Sequence, residues 1–231
     1  VSREPATGIV RIASAGDAAF LVEFEQAISP AINAQAIALA EAITRRCGSV
    51  VRDAVVGYAT LTVYFDPLVM DATWLERETR DIAASLAPRV EAAGAIVEVP
   101  VCYGGELGPD LGAVAQFGAC SEEEVVTIHA DAVYRVYMLG FVPGFAYMAS
   151  VDDRIAAPRR ATPRTVVPPG SVAIAGKQTG IYPIATPGGW NIVGRTPVKP
   201  FDANRQPPSA FRAGDSVRFK PISRREYEAF H

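Results

Sequence analysis

The chain has 231 residues, 49% of them hydrophobic and 20% charged, with 22 Lys+Arg against 25 Asp+Glu for a net charge of −3. That balance suits one large or two small soluble globular domains and lacks the clustered basic surface with which a nucleic-acid binder neutralises phosphates. No apolar run reaches the roughly 18–20 residues of a membrane span, no basic-then-apolar leader opens the sequence, and Cys47, Cys102 and Cys120 are too few and scattered for a disulfide framework, so a reducing cytoplasm is expected.

Val10, Ile12 and the run Ala19 to Phe24 predict a hairpin about Gly16-Asp17. Ser29-Pro30 then opens a helix: serine suits the N-cap, and proline at the first helical position gives up no needed donor. Ile32, Ala36, Leu39, Ala40 and Ile43 make its apolar stripe, Arg45 and Arg46 complement the dipole in its last turn, and Gly48 ends it. Val50 to Val56 and Leu61 to Phe65 read as strands on either side of Gly57. Asp71 caps a second helix with Leu75, Ile82 and Leu86 on one face, ending at Pro88. This ββαββα order over residues 1–90 predicts an α+β sandwich with two helices on one face of an antiparallel sheet. It carries no histidine, phosphate loop or carboxylate cluster, which suits a packing or docking domain.

Composition shifts near residues 88–95, where a domain boundary is expected. Eleven of the eighteen prolines lie between Pro143 and Pro208, and fourteen of the nineteen glycines lie at or beyond Gly104. Between them run short β-rich stretches: 96–101, 134–141, 172–175, 181–184, 191–193 and 216–219. Short strands with frequent Gly/Pro turns predict a mainly-β sandwich or barrel over residues 91–231. One helix interrupts it, with Ser121 and Glu124 forming a capping box.

Standard catalytic signatures are missing: the sequence has no GxSxG elbow, HExxH helix or CxxC pair. Gly170 to Gln178 imitates a phosphate loop, but it has one residue too many between its glycines, Gln178 stands where Ser/Thr is required, and its Val-Ala-Ile-Ala interior reads as a strand. With two histidines in the chain, one of them terminal, no His-rich metal site is expected. His129 shares helical spacing with Val126 and Val133, so a half-buried structural histidine and a proton carrier both remain open. Gly140-Phe-Val-Pro-Gly-Phe-Ala-Tyr147 predicts a sharp turn beside an apolar wall, either a barrel corner or one side of a ligand cleft with Phe141 in the wall and Tyr147 as polar handle. Lys177, Gln178, Thr179, Tyr182, Thr186 and Trp190 form the densest polar cluster, followed by Arg195 and preceded by the basic patch Arg159-Arg160 and Arg164. Together they suggest a mouth for a small anionic or amide-bearing ligand.

Four segments, Pro100 to Leu111, Gly140 to Tyr147, Val167 to Pro183 and Thr186 to Pro197, resemble the allophanate hydrolase subunit 1 family, in order and over about residues 8–226. That family includes the B component of bacterial ATP-dependent 5-oxoprolinase and Kip-type inhibitors of a sporulation histidine kinase, and is similar to the carboxyltransferase part of urea carboxylase. The resemblance implies an α+β N-terminal domain followed by a cyclophilin-like β-barrel, and places His129 at the family's histidine. It implies partners as well: a C component with a related barrel, and the A component of 5-oxoprolinase. The activity implied is hydrolysis of the 5-oxoproline lactam to glutamate, driven by ATP with Mg as its counter-ion; kinase inhibition and a urea or allophanate pathway role are the alternatives. On this reading His129, Lys177 and Arg195 are catalytic, and the amides about Gly176, Gly180, Gly188 and Gly189 hold the nucleotide. Phe141, Tyr147, Gln178, Thr179, Tyr182, Thr186 and Trp190 then bind substrate, with Gln178 and Thr179 on the lactam or its carboxylate.

Overall fold

The computed structural model describes residues 8–87 and 96–230, so the boundary expected at residues 88–95 lies outside the described residues. The chain divides into two compact units, 1–93 and 94–231. In the first, β1 (Arg11–Ser14) and β2 (Ala19–Glu23) form the hairpin, followed by α1 (Pro30–Cys47), β3 (Val51–Val56), β4 (Thr60–Phe65) and α2 (Ala72–Ser85). The strands make one antiparallel sheet in the order β1-β2-β4-β3. Alternation along β2 and β4 turns Phe20, Val22, Leu61, Val63 and Phe65 to the same face, where they are buried with Ile32, Leu39 and Ile43 of α1 and Leu75 and Ile82 of α2. The caps form where the sequence puts them: the Ser29 hydroxyl accepts from the Ile32 amide, and the Asp71 carboxylate from that of Trp74.

The second unit contains β5 (Ile96–Tyr103), α3 (Leu111–Gly118), α4 (Glu122–Asp131), β6 (Tyr134–Leu139), β7 (Ala146–Ala149), β8 (Arg164–Val167), β9 (Ser171–Ala175), β10 (Gln178–Ile181), β11 (Thr186–Gly188), β12 (Asn191–Arg195), β13 (Ser216–Pro221) and α5 (Arg224–Glu228). Seven strands close into a barrel in the order β10-β7-β6-β13-β5-β12-β9. Its pairings are antiparallel except β5 with β13, which run parallel over Ile96 to Val101. Closure leaves no free edge in the barrel, and β8 and β11 pair with each other as a separate ribbon.

The strand expected at 181–184 lies earlier, at Gln178–Ile181, because the Gly176-Lys177 turn folds β10 directly back on β9. Gly176 has φ +56° in that two-residue turn, a conformation that glycine adopts without strain. The stretch expected to continue to Phe141 ends at Leu139, where the chain turns. Helix α3 escapes the sequence reading because Gly108, Pro109, Gly112 and Gly118 signal turns. Burial of Leu111, Val114 and Ala115 along one face overrides that local preference. Helix α4 starts with the expected capping box: Ser121 Oγ accepts from the Glu124 amide and Glu124 Oε2 from the Ser121 amide. No described helix is long and apolar enough to cross a membrane.

Candidate functional site

The barrel wall separates two packed layers. Inward-facing Val99, Val101, Tyr134, Val136, Ala146, Met148, Val172, Ile174, Ile181, Val193, Val217 and Phe219 fill the interior. Ala173 and Ala175 of β9 and Ile192 of β12 face the other way and carry Phe145, Tyr182 and Trp190, with Tyr147 packed against them.

His129 belongs to the inner layer. It is 0% exposed and its ring stacks on Phe219, with centroids 4.6 Å apart at 14°. Its Nδ1 lies 2.8 Å from the Tyr103 hydroxyl and its Nε2 2.9 Å from Thr179 Oγ1. Thr179 in turn donates to the Ala173 carbonyl at 3.1 Å. That last bond fixes the direction of the chain: the threonine hydroxyl spends its proton on Ala173, so Nε2–H donates to it, and Nδ1 accepts from Tyr103. Burial lowers the His129 pKa to about 3 and pushes the Tyr103 phenol well up. A neutral imidazole with both nitrogens satisfied inside a packed core does not serve as proton carrier at neutral pH. The half-buried placement expected from the helix pattern gives way to full burial because the ring extends into the barrel between β5, β10 and β13. Thr179, expected on the substrate, is likewise 0% exposed and committed to His129.

The outer layer is an aromatic platform. Phe145 meets Tyr147, Tyr182 and Trp190 at 4.7, 5.1 and 5.4 Å, the last two edge to face, and Tyr147 meets Trp190 at 5.8 Å, geometries that aromatic quadrupoles favour. Small residues make room beneath it: a Cβ on Gly180 would lie 3.1 Å from the Phe145 ring, and one on Gly188 2.4 Å from the Tyr182 hydroxyl. Burial raises the Tyr147 and Tyr182 phenol pKa values, while nearby Arg159 opposes the shift at both.

Between β6 and β7 the chain makes two tight turns in six residues. The Val142 amide donates to the Gly140 carbonyl at 2.8 Å across Phe141, which has φ +65°, a strained γ-turn for a side-chain-bearing residue. The Phe145 amide donates to the Val142 carbonyl at 3.0 Å, with Pro143 and Gly144 (φ +83°) at the positions that a type II turn reserves for them. The segment and Phe201 and Ser209 line a cavity of about 420 Å³. Phe141 stands 60% exposed at its rim, whereas Tyr147 belongs to the aromatic platform and does not line the cavity.

Asp110, unsuspected from the sequence, is a heavily engaged carboxylate. It is 3% exposed and accepts from Arg160 at 2.7 Å, from both terminal nitrogens of Arg164 at 2.7 and 2.9 Å, and from the Ile192 amide at 2.7 Å. Burial opposes its ionisation, but the Arg164 hydrogen bonds, the Ile192 amide and the two positive charges hold it below the usual carboxylate range. The signal was there in part: an Asp inside a recognisable motif and a basic patch some fifty residues later, with nothing in one dimension to join them.

The remaining residues fall apart in space. Lys177 is half-exposed at the β9–β10 turn and pairs with Asp153. Gln178 sits in the ladder opposite Ala149 and Ala175, and Thr186 opposite Val167. Arg195 ends β12 across from Ser171, and the Nε of the first and the Oγ of the second are buried with no partner. Of the four glycines, the Gly176 amide is spent on the Ala157 carbonyl, Gly180 lies within the ladder under Phe145, and a Cβ would meet the Tyr182 hydroxyl at Gly188 and Pro163 at Gly189. The described residues do not group His, Cys, Asp or Glu side chains in a way that would hold a metal ion.

A family model described as the carboxyltransferase domain, subdomain C and D, matches residues 10–211, spanning both units. Over 230 residues the chain is 40% identical to the B component of 5-oxoprolinase from Bacillus subtilis (strain 168), covering 95% of this chain and 96% of that one. The crystal structure of TTHA0988 is 39% identical with a TM-score of 0.79; the match covers 89% of this chain and 40% of that longer one. The urea carboxylase of Kluyveromyces lactis, at 20% identity and a TM-score of 0.78 over 94% of this chain and 22% of its own, shares the fold. With the family match running through the sandwich strands, the buried histidine and the aromatic platform alike, the chain belongs to the carboxyltransferase family of subdomains C and D.

Proposed function

We propose that this chain is the B component of an ATP-dependent 5-oxoprolinase and works only with its partner subunits. The observation that carries the reading is the 40% identity, nearly end to end, with the B component of the Bacillus subtilis 5-oxoprolinase. The two-domain division at residues 1–90 and 91–231 belongs to the same proposal, and the closed barrel supports a cyclophilin-like second domain.

The lactam of 5-oxoproline is unstrained and resonance-stabilised, so water attacks it slowly, and phosphorylation of its amide oxygen makes a better electrophile. This chain's part is to bind and orient the ring. Tyr147, partly exposed beside the buried Phe145, Tyr182 and Trp190 rings, offers it an aromatic face with a polar hydroxyl, and Arg195, half-buried at the end of β12, a guanidinium. The nucleotide is shared with the partners, the C component with its related barrel and the A component. Glutamate released from 5-oxoproline and ATP is measured with this chain alone, with its neighbouring components, and with each omitted. Release that requires this chain is expected; no release from a folded, assembled complex refutes the reading and turns attention to urea carboxylation.

A further inference from the structure

Asp110 occupies the N-cap position of α3, where an aspartate ordinarily accepts from an amide of the first helical turn, yet it makes no such bond. Its four acceptor positions go instead to Arg160, Arg164 and the Ile192 amide, and its own amide donates to the Ile192 carbonyl at 2.9 Å. The carboxylate is thus bolted to β12 and holds two guanidinium groups side by side. One negative charge against two positive leaves a net +1. Each guanidinium has five N–H donors; Arg160 spends one on Asp110 and Arg164 two. The Arg160 Nε is buried without a partner, while both side chains keep solvent access at 35% and 25%. Arg164 pairs across the β8–β11 ribbon with Gly188, where a Cβ would lie 2.4 Å from the Tyr182 hydroxyl, so Arg164 adjoins the aromatic cluster.

The donors that Asp110 leaves over belong to side chains within reach of solvent. A surplus on a rigid, partly open, net-positive fork suits a planar anion, which guanidinium binds through two parallel hydrogen bonds. We propose that Arg160 and Arg164, positioned by Asp110, form a receptor for the carboxylate of a small amide-bearing ligand on the outer face of the barrel. The inference rests on the 5-oxoprolinase reading for the identity of that ligand. It moves the carboxylate contact from Gln178 and Thr179 to the arginines, and the single net charge matches a monoanion better than a phosphate dianion.

The test follows the arginine Nε–H resonances of the full chain by nitrogen-15 NMR during titration with 5-oxoproline, with 2-pyrrolidinone (the same lactam without the carboxylate) and with inorganic phosphate. Saturable shifts of the Arg160 and Arg164 signals are expected with 5-oxoproline and not with 2-pyrrolidinone, with phosphate weaker. Arg164→Gln is expected to weaken 5-oxoproline binding at least tenfold, and Arg164→Lys, which keeps the charge and loses the fork, by less; backbone spectra establish that both variants stay folded. No saturable shift with 5-oxoproline, an equal response to 2-pyrrolidinone, or tighter binding of phosphate overturns the proposal. Carboxylate-dependent shifts in a chain whose assembled complex releases no glutamate would uphold the receptor and remove the oxoprolinase reading.

Discussion

Replacing His129 with glutamine perturbs the pH dependence of stability in a way that the barrel interior dictates. The unfolded chain exposes an imidazole with a pKa near 6.5, whereas burial in the fold lowers it to about 3. Between those values the unfolded state binds a proton that the native state refuses, so stability is fully present above pH 6.5 and drains away as pH falls toward 3. At about 1.4 kcal/mol per pKa unit, the loss reaches about 2 kcal/mol by pH 5 and about 5 kcal/mol below pH 3, against a total stability of roughly 5–15 kcal/mol for a typical domain. Urea unfolding at pH 7.5 and 5.0 measures it. The His129→Gln variant should start lower, by about 2–4 kcal/mol, since it strands the Tyr103 hydroxyl and loses the stack on Phe219. Between the two pH values it should lose about 2 kcal/mol less than the parent. Equal losses in both proteins would refute the reasoning and return His129 to the ranks of titrating, accessible groups.

Gly144→Ala should cost about 2–4 kcal/mol in thermal unfolding, because φ is +83° and the new Cβ would lie 2.5 Å from that of Phe201; an unchanged melting point would mean that the turn relaxes freely. Asp110→Ala should destabilise by about 2–3 kcal/mol in the same assay, less than a fully buried ion pair because both arginines keep contact with water; a neutral effect would contradict the bolting of the fork to β12. With a thiol reagent, part-exposed Cys120 should react first and buried Cys47 and Cys102, whose thiols burial pushes up, only on unfolding; three equal rates would overturn that order.

The local grammar of the chain was legible in one dimension. Ser29-Pro30, Asp71 and Ser121 with Glu124 mark helix starts through bonds within a single turn, and the Val142-Pro-Gly-Phe145 turn follows from proline and glycine φ preferences alone. The alternation of β4 likewise declares a half-buried sheet. What the sequence leaves undecided is which side of a closed wall a residue faces. Thr179 and Gly180 are neighbours in the chain, yet one lies against His129 in the core and the other beneath Phe145 outside it, since successive strand residues point to opposite faces. The polar cluster at residues 176–196 therefore reads as one mouth along the chain and divides into an inner and an outer set once the barrel closes. Asp110 joins Arg160 and Arg164 across 50 and 54 residues, a pairing that no periodicity announces. Local propensity and capping act over a few bonds and are written where they act; burial, the pKa of His129 and the Asp110 clamp arise from neighbours that only closure of the barrel brings together.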